Sequence, residues 1–448
     1  MASGDGDDGG DGDGGGECSE MNDQHSDPAA GLLEATRVWA RIGILSFGGP
    51  AAQIALMHRE LVEERNWLSE SRFLNALSFC MLLPGPEAMQ LATYAGWRLH
   101  GTIGGLIAGL LFVLPGALVM LVLSALYVTF GQVPLIESLF LGVKAAVIVI
   151  VIEALLRVSK KALNGWDHWI IAALAFIGIF FLALPYPLIV VAAAAYGFAT
   201  ARAVDGPAET ESASQPHNHW KTLTTIGLWL AIWFGPLILL HLSGSAPLLN
   251  AIGAFFSKLA VVTFGGAYAV LAYMGQDVVQ NSAWLTAGEM MDGLGLAETT
   301  PGPLILVTQF VGFLAAFKEG GIWLAVAATI VTLWATFAPC FLWIFTGAPY
   351  IDWISTQPRL RGALSAITAA VVGVILNLSI WFALHVFFAS VTQVKFGWIA
   401  TSIPDFSTLD WRVVVLTVAS GFVLFRLHWG IAKMLLAMAA LALILGQF

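Results

Sequence analysis

FGGPAAQIALMHRELVEERNWLSESRF at Phe47–Phe73 and LLPGPEAMQ at Leu82–Gln90 decide the fold, because the motifs within them recur later in the chain. Three motifs of these stretches, FGG, NWL and LPGP, recur 217 residues later as FGG at Phe264–Gly266, AWL at Ala283–Leu285 and TPGP at Thr300–Pro303. Hydrophobic segments interrupted by Gly and Pro at matching positions of two halves are typical of membrane proteins built from internal repeats. The sequence therefore predicts a duplicated membrane protein.

The composition supports a chain that lies mostly in lipid. Of 448 residues, 58% are hydrophobic and 11% are charged, and the mean hydropathy is +0.81. Soluble domains carry roughly 25% charged residues. The net charge of −9 resides in residues 1–28, which hold nine acidic residues and no Lys or Arg. We interpret 1–28 as a disordered acidic Gly/Asp tail, because such a sequence cannot bury a core.

Long apolar stretches follow one another along the rest of the chain, and many are long enough to cross a bilayer core of about 30 Å. They lie near 32–57, 72–100, 103–130, 134–157, 167–184, 186–203, 221–243, 250–280, 287–317, 320–347, 358–390, 409–425 and 428–447. This order predicts a first repeat at 29–203, a linker loop and connecting membrane helix at 204–249, and a second repeat at 250–448. The predicted fold class is an all-α polytopic membrane protein with two repeats of about six hydrophobic segments each.

The second repeat is predicted to be inverted relative to the first, because seven segments precede it. KAAVIVIVIEAL at Lys144–Leu155 aligns with TAAVVGVILNLS at Thr368–Ser379, which extends the repeat beyond its opening motifs. Loop 58–72 carries three arginines, whereas its counterpart 275–289 carries no Lys or Arg. Since cytoplasmic loops are enriched in Lys and Arg, the first loop is predicted to be cytoplasmic and the second external. Re-entrant hairpins at the FGG and PGP motifs would bring the other basic loops to the cytoplasmic side as well.

The two PGP motifs are predicted to interrupt helices. Proline lacks a backbone N–H donor and clashes with the preceding turn, and glycine lacks the side chain that resists unwinding of the helix. Each break starts a new helix, whose free N–H groups and dipole favour an anion. A simple proline kink is the alternative for one copy, but two copies in inverted halves favour a binding site. The candidate residues are Pro84, Gly85 and Pro86 in the first break, and Pro301, Gly302 and Pro303 in the second.

The two FGG motifs allow two interpretations. Their glycines permit close packing of helix backbones, or they expose amide groups to a ligand. The candidate residues are Gly48 and Gly49 in the first copy, and Gly265 and Gly266 in the second. Broken or re-entrant helices are expected at both motifs, but Ala267 stands where the first copy has Pro50, so the stronger break is expected in the first copy.

Polar residues next to the PGP motifs are candidates for lining the site. Glu87 follows Pro86 and could carry a proton, or could simply complement the helix N-terminus. Gln90 lies on roughly the same face, and Thr299 and Thr300 precede the second break. Hydroxyl and amide groups can donate hydrogen bonds to an oxyanion.

Lys144 is a candidate substrate contact, because it lies about 15 Å into its segment, where a lone charge is costly. The alternative is a lysine whose amino group reaches the membrane surface. Glu153 precedes Arg157 by four residues, which predicts a helical ion pair with a structural role.

Other classes of function find no support in the sequence. There is no GxxxxGK[ST] motif for ATP, and no HExxH, GxSxG or His/Cys cluster. We therefore expect no enzyme activity, no metal, no cofactor and no nucleic-acid partner. A secondary carrier is the prediction that remains, and a functional monomer is favoured over a homodimer.

The chain resembles the chromate ion transporter family in its long, two-domain form. The resemblance rests on Phe47–Phe73, on LLPGPEAMQLATYAGWRLHG at Leu82–Gly101 and on FVLPGAL at Phe112–Leu118, with FGGAYAVL and TTPGPL in the second half. It implies export of chromate across the inner membrane, driven by the proton motive force, with sulfate as a competing analogue and with chromate resistance as the result.

Three readings of the function stay open at this point. The leading hypothesis is a chromate exporter whose site lies between the two repeats, at the PGP breaks and FGG turns and with Lys144. The second is a carrier for sulfate or another tetrahedral oxyanion. The third is an anion channel that uses the same helix ends.

Overall fold

The computed structural model of the chain describes residues 31–131, 133–201, 219–244, 246–262, 264, 267–351, 357–396 and 399–446. The acidic tail 1–28 and most of the linker loop lie outside these residues. The described part contains fifteen α-helices: α1 Leu32–Leu45, α2 Gly49–His58, α3 Glu70–Cys80, α4 Glu87–Phe130, α5 Pro134–Ala162, α6 Trp166–Phe180, α7 Tyr186–Thr200, α8 His219–Ser243, α9 Pro247–Val262, α10 Ala267–Gln276, α11 Ala287–Thr299, α12 Val307–Gly347, α13 Pro358–Phe387, α14 Trp411–Phe425 and α15 Ile431–Leu445.

Shorter elements complete the described chain. Single π-helical turns follow α2 at Arg59–Glu63 and α10 at Asp277–Asn281. Between α13 and α14 the strands β1 Val391–Phe396 and β2 Ile399–Pro404 pair as an antiparallel hairpin. The sequence analysis did not predict this hairpin.

The protein is an all-α polytopic membrane protein, as predicted. Five stretches are long and apolar enough to cross a bilayer: Glu87–Phe130, Pro134–Ala162, Trp220–Ser243, Leu304–Tyr350 and Pro358–Phe387. The shorter apolar helices, such as α6 and α7, have 15 residues each. At 1.5 Å per residue such a helix is about 23 Å long, less than the bilayer core.

The helices are interrupted where the sequence predicted breaks. Residues Met81–Pro86 separate α3 from α4, and Thr300 and the residues that follow separate α11 from α12. Gly85 and Gly302 have φ angles of +120° and +85°, a region that favours glycine. The PGP motifs therefore interrupt the helices through their own backbone geometry.

The FGG motif interrupts its helix in both repeats. In the first repeat α1 ends at Leu45, and Gly48 has a φ of +87°. The second copy also separates two helices, because α9 ends at Val262 and α10 begins at Ala267. Two consecutive glycines cost about 2 kcal/mol of helix propensity, so a break does not require the proline. Gly265 and Gly266 themselves lie outside the described residues.

The long helices α4 and α12 are each two helices joined by a sharp turn. In α4 the turn lies at Gly101, with φ +62°, and in α12 it lies at Gly321, with φ +71°. Gly96 before the turn packs directly against Gly104 after it, so the two arms run antiparallel. The first arms, 87–99 and 307–319, begin at the PGP breaks, and the second arms, 102–130 and 322–347, cross back.

Counterpart helices of the two halves pack antiparallel. Near the start of α5, Ala145 belongs to a hydrophobic cluster against which Val386, at the end of α13, also packs. At the end of α5, Lys161 lines the same cavity as Leu364 near the start of α13. Since α5 and α13 contain the aligned KAAV and TAAV sequences, their antiparallel packing is the arrangement expected for inverted repeats.

Candidate functional site

A cavity of about 630 Å³ lies at the first PGP break, between the two halves of the chain. It is surrounded by the end of α3, the C-terminal end of α5 and the starts of α2, α4, α10 and α13. Its walls include Pro50, Ile54, Met81, Gly85, Glu87, Arg157, Lys161, Tyr268, Arg361 and Thr368. Both repeats contribute to these walls, so one chain is sufficient to form the cavity.

The charged side chains around this cavity are mainly cationic. Arg157, Lys161 and Arg361 line it, and Glu87 is the acidic residue among its described walls. Arg157 forms the predicted ion pair with Glu153, which confirms that expectation. A cleft lined by one sign of charge concentrates ions of the opposite sign. We call this cavity, defined by the lining residues above, the cationic cavity.

The first PGP break forms one wall of the cationic cavity. Pro84, Gly85 and Pro86 are buried, and Glu87 is half-buried at the first position of α4. Gln90 is fully buried and its Nε2 donates to the carbonyl oxygen of Pro84 at 2.7 Å. Gln90 thus stabilises the irregular backbone, while Glu87 faces the cavity.

The second PGP break packs against the first FGG turn. The amide of Gly302 donates to the carbonyl oxygen of Ser46 at 2.8 Å, and Gln53 Nε2 donates to the carbonyl oxygen of Gly302 at 2.6 Å. Pro301, Gly302 and Pro303 are all buried. Neither Ser46 nor Gln53 was selected from the sequence; the polar side chain of Gln53 in the otherwise apolar first turns of α2 was the available signal.

The two threonines before the second break bond to their own helix. Thr299 Oγ1 donates to the carbonyl oxygen of Leu296 at 2.8 Å, and Thr300 Oγ1 donates to that of Ala297 at 2.9 Å. Thr299 is exposed and Thr300 is buried. In this conformation both hydroxyl groups donate to backbone carbonyl oxygens at the end of α11.

Lys144 lies in a different cavity from the first PGP break. Its Nζ is 3.3 Å from Asp292 Oδ2, and the hydroxyl of Tyr127 donates to the same oxygen at 2.8 Å. This second cavity has a volume of about 210 Å³, and Glu137, Glu289, Asp292 and Lys144 are its charged lining residues. We call it the acidic cavity. It lies at the start of α5, between the end of α4 and the start of α11, whereas the cationic cavity lies at the end of α5.

The predicted site residues are therefore distributed over three places. Pro84–Glu87 and the turn that follows Gly48 and Gly49 meet at the cationic cavity, and the second PGP motif is buried beside the same turn. Lys144 belongs to the acidic cavity, although Thr368, its counterpart in the second repeat, lines the cationic cavity. Two residues that the sequence analysis did not select, Tyr268 and Glu298, are hydrogen-bonded at 2.8 Å beside the cationic cavity.

A sequence profile described as chromate transporter matches residues 33–198 and 250–446, one stretch in each half. The chain belongs to the chromate transporter family. It is accordingly a multi-pass membrane transporter, in agreement with its apolar helices.

Several named relatives resemble the chain over most of its length. It is 35% identical to the chromate transport protein of Pseudomonas aeruginosa over 347 residues, 75% of this chain and 77% of that protein. It is 32% identical to the chromate transport protein of Cupriavidus metallidurans, over 78% of this chain and 82% of that protein. It is 30% identical to the probable chromate transport protein of Synechococcus elongatus, over 78% and 84%. No solved structure matches the chain significantly.

Proposed function

We propose that this chain exports chromate across the inner membrane, driven by the proton motive force, and so confers chromate resistance. The observation that carries the proposal is the cationic cavity. Arg157, Lys161 and Arg361 surround a space that ends at the first PGP break, where a helix N-terminus begins. Cationic side chains and helix N-termini both favour a small oxyanion. The names of the relatives supply the identity of that oxyanion.

The charges of the two cavities support outward movement. The cationic cavity lies at the end of α5 that carries Arg157, Lys160 and Lys161, and cytoplasmic loops are enriched in such residues. The acidic cavity at the other end disfavours the return of an anion. A dianion that leaves a cell with a negative interior gains about 2.3 kcal/mol per charge per 100 mV, or about 4.6 kcal/mol in all.

The same geometry accommodates a second substrate. Sulfate has the charge and tetrahedral shape of chromate, and the cations of the cavity recognise charge rather than the central atom. Sulfate is therefore expected to compete with chromate. Because both repeats line the cavity, the transporting unit is proposed to be one chain.

The proposal is tested by chromate flux in proteoliposomes under an imposed membrane potential, with and without a pH gradient and excess sulfate. Wild-type protein is compared with the Pro84→Ala/Pro86→Ala variant. Wild-type flux that the variant loses would support the proposed site. Sulfate flux without chromate flux would show that the substrate is another oxyanion and not chromate. Conductive anion current without proton movement would instead support a channel.

A further inference from the structure

Glu298 is a buried carboxylate at the junction of the second PGP motif and the cationic cavity. It lies in the last turn of α11, three residues before Pro301, and is 7% exposed. The hydroxyl of Tyr268 donates to its Oε1 at 2.8 Å. Its Oε2 is buried and has no hydrogen-bond partner in the described part of the chain. The carboxyl group is thus only half satisfied.

Glu298 differs from the other buried acids in lacking a cation. Asp292 pairs with Lys144 at 3.3 Å, and Glu60 pairs with Arg65 and with Arg41. Among the described residues no Lys, Arg or His nitrogen is within 4.0 Å of the Glu298 carboxylate.

The remaining surroundings of Glu298 do not supply the missing charge. The charged groups that act on it, Glu153 and Arg157 of α5, are paired with each other, and Tyr268 of α10 is the titratable group in contact. A buried carboxylate with neither a cation nor full hydrogen bonding is costly to keep charged. The geometry suits a group that binds and releases a proton.

Tyr268 connects this carboxylate to the cationic cavity. Its side chain lines the cavity together with Arg157, and its hydroxyl reaches Glu298 on the far side. Tyr268 stands at the start of α10, two residues after the second FGG motif, and Glu298 stands two residues before the second TPGP. One hydrogen bond therefore joins the two interrupted segments of the second repeat, so a change of protonation at Glu298 acts on both.

We infer that Glu298 is the carboxylate that binds the coupling proton, and that Tyr268 relays this proton between Glu298 and water in the cationic cavity. The inference rests on the proposed proton-driven export. When Glu298 takes up a proton, the Tyr268 hydroxyl passes its own proton to Oε1 and accepts another from a cavity water; release reverses both transfers. Glu87, the acid in the cavity wall, lies at the first position of α4 and belongs to the first repeat.

The test separates voltage-driven from proton-driven flux in proteoliposomes. Chromate flux is measured under a fixed potential across a series of pH values, and again with a pH gradient, while a pH-sensitive dye reports proton movement. The variants are Glu298→Gln, Glu298→Asp and Tyr268→Phe. The control is Glu319→Gln, which removes an exposed acid at the turn between the arms of α12. Size-exclusion profiles in detergent establish that each variant is folded.

We expect Glu298→Gln to lose both stimulation by the pH gradient and chromate-dependent proton movement, so that its residual flux follows voltage alone. Glu298→Asp should retain proton coupling, but with a displaced pH profile. Tyr268→Phe should also displace the pH profile of the flux. Glu319→Gln should behave as wild type. Retained proton coupling in Glu298→Gln would overturn the inference. If that variant does not fold, unshifted profiles in Glu298→Asp and Tyr268→Phe would overturn it as well.

Failure of the inference is distinguishable from failure of the proposed function. Wild-type chromate flux that responds to voltage but not to a pH gradient would overturn the role of Glu298 and leave chromate transport intact. Absence of wild-type chromate flux under every gradient would contradict the proposed function itself.

Discussion

Lys160 and Lys161 are adjacent at the end of α5, and both are exposed, but only Lys161 is among the residues that line the cationic cavity. A cation a few ångströms from a dianion contributes attraction even in a watery cleft. We expect Lys161→Gln to raise the chromate KM by about tenfold. Lys160→Gln removes the same charge one residue away and should leave KM nearly unchanged. Equal effects of the two variants would mean that only the overall surface charge matters.

Lys144 and Asp292 provide a second prediction at the residue scale. The Asp292 side chain is 6% exposed, and Lys144 is its ionic partner. Because removal of one partner leaves a buried charge, Lys144→Met should lower the unfolding free energy by about 3 kcal/mol. The Lys144→Met/Asp292→Asn double variant should recover much of this loss.

Thermal unfolding in detergent measures these stability changes, and chromate flux is measured on the same samples. A Lys144→Met protein with wild-type stability and a strongly raised KM would contradict the structural role and assign Lys144 to the substrate path. The comparison thus decides between the substrate contact that the sequence predicted for Lys144 and the ion pair that the structure shows.

At the scale of elements, the second arm of α4 supports the second PGP break. Gly116 lies so close that a Cβ atom there would overlap the carbonyl oxygen of Pro301. We expect Gly116→Ala to displace the break and to cost about 1–3 kcal/mol of stability, with loss of transport. Gly227→Ala in α8 is the matched control, because a Cβ atom there meets nothing within 4 Å. Wild-type flux in Gly116→Ala would show that this contact is dispensable.

The connection between α2 and α3 is stabilised by a titratable contact. His58 Nε2 lies 2.7 Å from Glu70 Oε2, and His58 Nδ1 lies 3.1 Å from Glu63 Oε1. The hydrogen bond with Glu70 is the largest cause that raises the pKa of His58 above its ordinary value of 6.5. A raised pKa in the folded state stabilises the fold below the unfolded pKa, and this contribution disappears as pH rises through the folded pKa.

His58→Gln should therefore lower the melting temperature at acidic pH and have little effect at alkaline pH. The measurement is thermal unfolding across pH, with His241→Gln at the exposed end of α8 as the control. A loss of stability that is independent of pH would show that His58 acts through packing, for instance against the ring of Phe73.

At the scale of the whole molecule, the two cavities lie at opposite ends of α5. Glu137 in the acidic cavity and Lys161 in the cationic cavity are separated by about 36 Å along the helix. Since this distance is that of a bilayer, the two cavities are expected to open on opposite sides of the membrane. A transporter needs such a pair of openings to move its substrate through a central barrier.

Thiol labelling from each side tests this arrangement. In a chain with Cys18→Ser, the native Cys80 and Cys340 are buried and should react slowly. Ser365→Cys in the cationic cavity should react with an impermeant maleimide from the cytoplasmic side, and Glu137→Cys in the acidic cavity from the external side. Labelling of both positions from one side would contradict the proposed path and the orientation based on the positive charges.

Local chemistry was sufficient to predict much of the architecture. The breaks at PGP and the pairing of Glu153 with Arg157 depend on residues that are close in sequence, so the sequence predicts them directly. The membrane class follows from composition in the same way. The second FGG motif separates two helices without a proline, because a pair of glycines already disfavours a helix.

Contacts between distant residues depended on how the two halves pack. The residues next to Gly302 in the sequence do not indicate that its amide donates a hydrogen bond to the carbonyl oxygen of Ser46. The residues next to Lys144 likewise do not indicate Asp292 as its ionic partner. Thr299 and Thr300 were predicted to face an anion, but the end of α11 uses their hydroxyls. The repeated motifs, the broken helices and the membrane class could be predicted from local sequence, because backbone geometry and hydrophobicity are properties of each residue. The two cavities exist only after the halves pack antiparallel, because their walls come from both halves. The Tyr268–Glu298 pair likewise depends on tertiary structure, because it joins two segments of the second half that are 30 residues apart.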